Sequence, residues 1–220
     1  MMQFSDTTLS ILKNFSEINP SVLFKPGQSL RTISPQKTVM AAANVEETFD
    51  TSAAVYDLSR FLSTLSLFDK PNIDFENNNF RIKSSNGKAE TTYTYASENM
   101  IVTPPENDIS VPDIAATVNV TWDDLQKVIR AAGVLQLTEI QFAFDGNDVT
   151  LSAVDSKNPS SDTYSTALDA PDVSTNPFKI LIKVENLKLI PGDYTIALSS
   201  KGITHFKSDT VQYWIACEAK

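Results

Sequence analysis

Four times along this chain of 220 residues the hydrophobic period lengthens from two to about 3.6, and each time it falls back to two. That pattern describes many short strands interrupted by a few short helices, an antiparallel α+β chain. In the first window, 6–18, Leu9, Leu12, Phe15 and Ile18 keep helical spacing, Asp6 is placed to cap the start, and Pro20 follows the end. In the second, 57–68, Leu58, Phe61, Leu62 and Leu65 form the apolar stripe opposite Ser59, Arg60, Ser63 and Thr64, and Lys70-Pro71 ends it. The third opens on Thr121 with Asp124 three residues on, a capping-box variant; Leu125, Val128 and Ile129 face inward, and Gly133 supplies the stop. The fourth covers 184–190 and stops at Pro191-Gly192.

Strand character fills 28–33, 38–44, 80–83, 90–95, 137–144, 149–154, 178–183, 194–198 and 211–217. Asn86-Gly87 and Asp145-Gly146-Asn147-Asp148 suit hairpin turns, while Pro26-Gly27 and Pro191-Gly192 fall between a helix and a strand. A proline-bearing connector at about 98–112, holding Pro104-Pro105 and Val111-Pro112, divides the chain into domains 1–110 and 111–220. Each then owns two helices. Arg81-Ile82-Lys83-Ser84 returns as His205-Phe206-Lys207-Ser208, each before a final aromatic-rich strand, which points to two similar domains.

Composition narrows the function. A hydrophobic content of 41% is enough for a core of ordinary size. No apolar run reaches the roughly 18 residues of a membrane helix, and the first residues lack the pattern of a secretory signal, so the expectation is a soluble, non-secreted protein with no membrane partner. In that setting Asn119-Val120-Thr121 is a chance sequon. The single Cys217, in an apolar strand-like run, excludes an intrachain disulfide and reads as a buried, inert thiol. One histidine, His205, makes neither a metal cluster nor a nucleophile–base pair and is assigned a structural role. The 145–148 carboxylates depart from calcium-loop spacing, and six glycines leave little for a phosphate loop. No catalytic residue, metal or cofactor is expected.

The net charge of −9 argues against a protein that grips nucleic acid by charge. Yet each helix carries basic residues on its polar side: Lys13, Arg60, Lys127 with Arg130, and Lys188. Such residues could face phosphate. They could equally be the usual answer to the helix dipole on a solvated face, since Asp6, Asp57, Asp123, Asp124 and Glu185 occupy the helix starts.

Several separate stretches, spread over nearly the whole chain, belong together. They are Asp6-Thr7-Thr8-Leu9, Leu12-Lys13-Asn14-Phe15, Ile18-Asn19 and Gly27-Gln28; Tyr56-Asp57-Leu58, Phe61-Leu62 and Leu65-Ser66-Leu67; then Asp124-Leu125-Gln126, Arg130 and Leu135-Gln136. Asn186, Lys188, Pro191-Gly192, Tyr194, Lys201-Gly202, Tyr213, Ala216 and Glu218-Ala219 close the series. By their order and spacing, not by any one stretch, they resemble a family, the sliding clamps of T4-like bacteriophages.

The resemblance implies a DNA clamp fold: two similar domains per chain, each with two helices packed on antiparallel sheets, and three identical chains closing a six-domain ring. Such a homotrimer encircles double-stranded DNA without sequence preference and tethers the replicative DNA polymerase, conferring processivity. It implies a separate ATP-dependent clamp loader, contacts with the transcription machinery, no enzymatic activity, and a place in the cytoplasm of an infected bacterial host. Lys13, Arg60, Lys127, Arg130 and Lys188 become residues facing DNA, and enclosure, not charge, would supply the hold. Arg130-Ala131-Ala132-Gly133-Val134 departs from a more polar and basic family pattern, which bears on the strength of that contact. A partner-peptide pocket is implied around Ile101, Val102, Val111 and Pro112. Head-to-tail contacts are implied between edge strands at 90–95 and 162–168, through Tyr93, Tyr95, Tyr164 and Leu168. The alternative from another class is a non-enzymatic β-rich structural or virion module.

Overall fold

In a computed structural model the chain is described over residues 1–158, 160–173 and 176–218; Ala219, quoted above for the resemblance, lies outside them. Backbone contacts divide it into two units, Met1–Glu106 and Asn107–Lys220.

The first unit runs α1 (Asp6–Ile18), β1 (Val22–Phe24), β2 (Gly27–Ile33), β3 (Val39–Phe49), β4 (Ala53–Val55), α2 (Leu58–Leu65), β5 (Asn72–Phe75), β6 (Asn79–Lys83) and β7 (Glu90–Thr94), then one 3-10 turn at Glu98–Met100. β2 and β3 form an antiparallel hairpin, β1 pairs with β4, and β5-β6-β7 make a three-stranded antiparallel sheet with β7 on the outside. Helix α1 is amphipathic and buries Ile11, Leu12, Phe15 and Ile18. Its cap is Ser5, whose hydroxyl accepts from the Thr8 N–H at 3.2 Å, so Asp6 is a first-turn acid and not the cap expected. Helix α2 ends at Leu65, earlier than expected. There the N–H groups of Leu67 and Phe68 turn to the carbonyls of Thr64 and Leu65, tightening the chain out of α geometry. Aromatic rings fill the core: Phe24 lies 5.1 to 6.2 Å, centroid to centroid, from Phe4, Phe49, Phe61, Phe75 and Phe80.

The second unit runs β8 (Ile114–Val120), α3 (Trp122–Leu135), β9 (Glu139–Phe144), β10 (Val149–Val154), β11 (Tyr164–Val173), β12 (Phe178–Lys183), β13 (Tyr194–Ser199), β14 (Ile203–Lys207) and β15 (Val211–Ala216). Within it the strand order is β12-β9-β10-β11-β8-β13-β14-β15, antiparallel throughout. Leu125, Val128 and Ala132 turn α3 inward. Gly133 does not stop this helix. It continues to Leu135, Gln136 adopts φ 55°, and the Leu137 N–H reaches back to the Ala132 carbonyl at 2.8 Å, a Schellman-type closure without glycine.

The fourth expected helix is a correction. Among the described residues 184–190 hold a single 3-10 turn, Val184–Asn186, followed by irregular chain. Leu187 and Leu189, two apart, are both 9% exposed, an extended rather than helical burial pattern. The Ile190 N–H donates to the Tyr213 hydroxyl at 3.1 Å and its carbonyl accepts from Tyr194 Oη at 2.5 Å, while Pro191 disfavours α geometry just before it.

The short internal similarity falls on equivalent places. β6 and β14 are both middle strands of antiparallel triplets, and Ser84 and Ser208 follow them. Each serine closes the next loop twice: its N–H bonds a carbonyl across the turn (Ala89, Val211), and its hydroxyl accepts the N–H of that same residue.

Candidate nucleic-acid interface

Of the five basic residues, Lys13 projects from α1, Arg60 from α2, and Lys127 and Arg130 from α3; all four are exposed. Lys188 is exposed too, yet it sits on irregular chain between buried Leu187 and Leu189 and not on a helix. In the first unit α1 and α2 pack together, so Lys13 and Arg60 belong to one helical layer. A cavity of about 1140 Å³ opens beside Lys13, bounded by Leu9, Glu47, Leu62 and Lys70 among others.

Charges balance over the three helices taken together. In α1, Asp6 and Glu17 accompany Lys13; Arg60 is the one ionisable charge of α2; in α3, Asp123 and Asp124 match Lys127 and Arg130. The three helices together therefore carry no net formal charge. Lys127 Nζ sits 2.5 Å from Asp123 Oδ2 and 4.0 Å from Asp124 Oδ1, and the hydrogen bond to Asp123 followed by the charge of that carboxylate raises the lysine pKa. Arg130 Nη2 donates to the neutral Gln126 Oε1 at 3.3 Å. On α2 the hydroxyls of Ser63 and Thr64 donate back to the carbonyls of Ser59 and Arg60, each at 2.8 Å, which uses their only hydrogens inside the helix. Asp123 and Lys127 lie four residues apart on one helix face, a spacing legible in the sequence.

Of the four pocket residues, Ile101 and Val102 belong to the first unit and Val111 and Pro112 to the second. Ile101 is 7% exposed, part of the first unit's core, whereas Val102 is 42% exposed and lines a groove of about 210 Å³ with Val22, Leu23, Pro26, Pro104 and Pro105. Lys25 and Glu106 flank that groove and pair at 3.1 Å. Val111 and Pro112 belong to the second unit, where the Pro112 carbonyl accepts from the Ser199 hydroxyl and the neighbouring Ile109 carbonyl from Trp214 Nε1 at 2.9 Å. Lys25 and Glu106 carried no motif that could have marked them.

The strand residues divide as follows. Among the described residues β7 pairs with β6 alone. Tyr93 packs on Phe61 and donates its hydroxyl to the Asp57 carbonyl at 2.9 Å. Tyr95 packs on Phe80, and burial, with the Glu76 carboxylate, pushes its phenol up to about 12. β8 pairs with β11 at Asp169–Val173, beyond the 162–168 stretch expected as an edge. From Tyr164 to Leu168 its ladder is to β10. Tyr164 is exposed there and Leu168 half-buried.

Residues 5–103 match a family model described as DNA polymerase processivity factor, and 117–219 match one described as gp45 sliding clamp, C terminal. The chain is 32% identical to the sliding clamp of Vibrio phage KVP40 over 223 residues, covering 99% of this chain and 100% of that one. It is 31% identical to the sliding clamp of Escherichia phage RB69 and 29% to that of Enterobacteria phage T4, in each case over 99% of this chain and 97% of the relative. Among solved structures it is similar to the proliferating cellular nuclear antigen of Entamoeba histolytica, with a TM-score of 0.70 at 11% identity over 99% of this chain and 98% of that one. A complex described as the C-terminal region of FEN-1 bound to A. fulgidus PCNA gives a TM-score of 0.71 at 14% identity, covering 96% and 95%. Those two likenesses speak to the fold.

Proposed function

The chain belongs to the sliding clamps of T4-like phages, DNA polymerase processivity factors, and on that premise we propose that three copies close a ring around duplex DNA. The two contact units serve as the two clamp domains of each copy. The ring holds the replicative polymerase at the primer end by raising its local concentration there, and it performs no chemistry itself. A separate ATP-driven loader opens and places it, in the cytoplasm of the infected cell; the transcription machinery is a further client. A relative in fold is described with the C-terminal region of FEN-1 bound, which supports partner docking through peptide segments. We assign such docking to the groove at Val102 in the first unit.

The observation that carries the ring is the pair of open strand edges: β7 on its outer side, and β11 at Tyr164–Leu168 where its pairing with β8 has not begun. One edge of each copy joining the other edge of the next is a head-to-tail contact, and such contacts close into rings. Tyr93, Tyr95, Tyr164 and Leu168 are its side-chain members. DNA then passes Lys13, Arg60, Lys127, Arg130 and Lys188, held by enclosure more than by charge.

Light scattering over a range of concentrations, followed by loading onto circular DNA, tests this. A trimer that stays on a closed circle and leaves once the circle is cut is the expected result. A chain that remains monomeric at high concentration, with DNA and loader present, overturns it.

A further inference from the structure

We propose that Asp123 sets how strongly α3 meets DNA: it holds Lys127 in an internal pair, leaving Arg130 as the cation of that helix available to phosphate. The inference rests on the reading of α3 as a DNA-facing helix and adds to it a residue that weakens the contact.

Three observations support it. First, Lys127 Nζ is 2.5 Å from Asp123 Oδ2 with Asp124 at 4.0 Å, so two carboxylates bear on one ammonium. Beyond about one Debye length, roughly 8 Å at physiological salt, such a pair presents a dipole and not a charge. Second, the two acids have different employment. Asp124 belongs to the cap: its N–H donates to Thr121 Oγ1 at 3.2 Å and its Oδ2 accepts from that hydroxyl at 2.8 Å. Asp123 is exposed, and its charge is directed to Lys127. Third, the neighbouring cation is treated differently: Arg130 is steadied by Gln126, which orients the guanidinium without neutralising it.

The physical effect is low friction. Each cation that engages a phosphate releases counterions and must be broken free when the protein shifts along the duplex. Pairing Lys127 within its own helix removes one such contact per subunit. Together with the balanced charge of α1, α2 and α3, this gives an inner surface that follows the duplex without adhering to it.

The test is single-molecule diffusion of the loaded ring, with D123N, K127Q and the double variant D123N/K127Q. D123N frees the lysine, and diffusion is expected to slow roughly threefold at low salt and to recover as added salt screens the new phosphate contacts. In D123N/K127Q diffusion returns to within about twofold of the parent, because the freed cation is gone. No slowing in D123N, or slowing that persists in the double variant, overturns the proposal. Retention on closed circular DNA, scored in the same samples, reports separately on the ring. Helix content by circular dichroism shows that the D123N helix is intact.

Discussion

His205 lies flat against Trp214, with ring centroids 4.7 Å apart and planes 15° from parallel. Its Nε2 is 3.0 Å from Gln212 Oε1, and Gln212 in turn donates to Asp108 at 3.0 Å. Burial lowers the imidazole pKa, and the bond to Gln212 only partly opposes it. The fold therefore favours the neutral ring, while the unfolded chain takes up its proton near about pH 6.5. Stability from this site is intact above that pH and is lost as pH falls through the lowered folded value. Thermal unfolding of the parent should lose more Tm between about pH 6.5 and 5.5 than H205F, which keeps an aromatic ring on Trp214 but cannot titrate. Equal slopes would reject the assignment.

Phe80 is fully buried and touches the rings of Phe24, Phe61, Phe75, Tyr93 and Tyr95. F80A should cost about 3–5 kcal/mol by leaving a cavity among rings that cannot all collapse into it. Urea unfolding followed by a probe in the first unit measures this, and a loss below about 1 kcal/mol would mean the cluster repacks.

The Tyr95 N–H donates to the Asn78 carbonyl at 2.9 Å, which sets the phase of β7. By alternation Thr91 and Tyr93 also point their N–H groups to β6, while Thr92 and Thr94 point theirs to the open side. Proline at Thr92 thus removes an outward donor and no bond inside the sheet. T92P should remain folded by circular dichroism yet shift the assembly to smaller species in light scattering. A parent-like assembly would show that β7 is not a subunit contact.

Burial pushes the Cys217 thiol up to about 11, with the hydroxyl of Thr204 opposing and Glu218 adding. Alkylation of the native protein at about pH 8 should run at least tenfold slower than in urea, since the thiolate is the nucleophile. Similar rates would place this thiol in open solvent.

What could be read in advance follows from how each element announces itself. Helices α1, α2 and α3 were legible because an amphipathic stripe continues over two or more turns. β1 and β4 were not: Ala53, Ala54 and Val55 are all buried, so three residues offer no alternation to detect. β8 buries Ala116, Val118 and Val120 in strict alternation, yet small residues just after a proline-bearing connector resemble linker. In 184–190 the spacing of Val184, Leu187 and Ile190 fits a helix as well as Leu187 and Leu189 fit extended chain, and the contacts with Tyr194 and Tyr213 decided between them. The candidate cations were legible as residues, whereas their pairing depends on rotamers that a sequence does not contain.

The outward N–H groups of Thr92 and Thr94 matter also before the proposed ring could form. A freshly made copy carries them uncovered, and an uncovered strand edge joins whichever strand meets it first. Dosage is the consequence. If copies assemble through this edge as proposed, synthesis that outruns their assembly leaves a pool of reactive edges, and forcing expression higher is expected to convert the excess into aggregate.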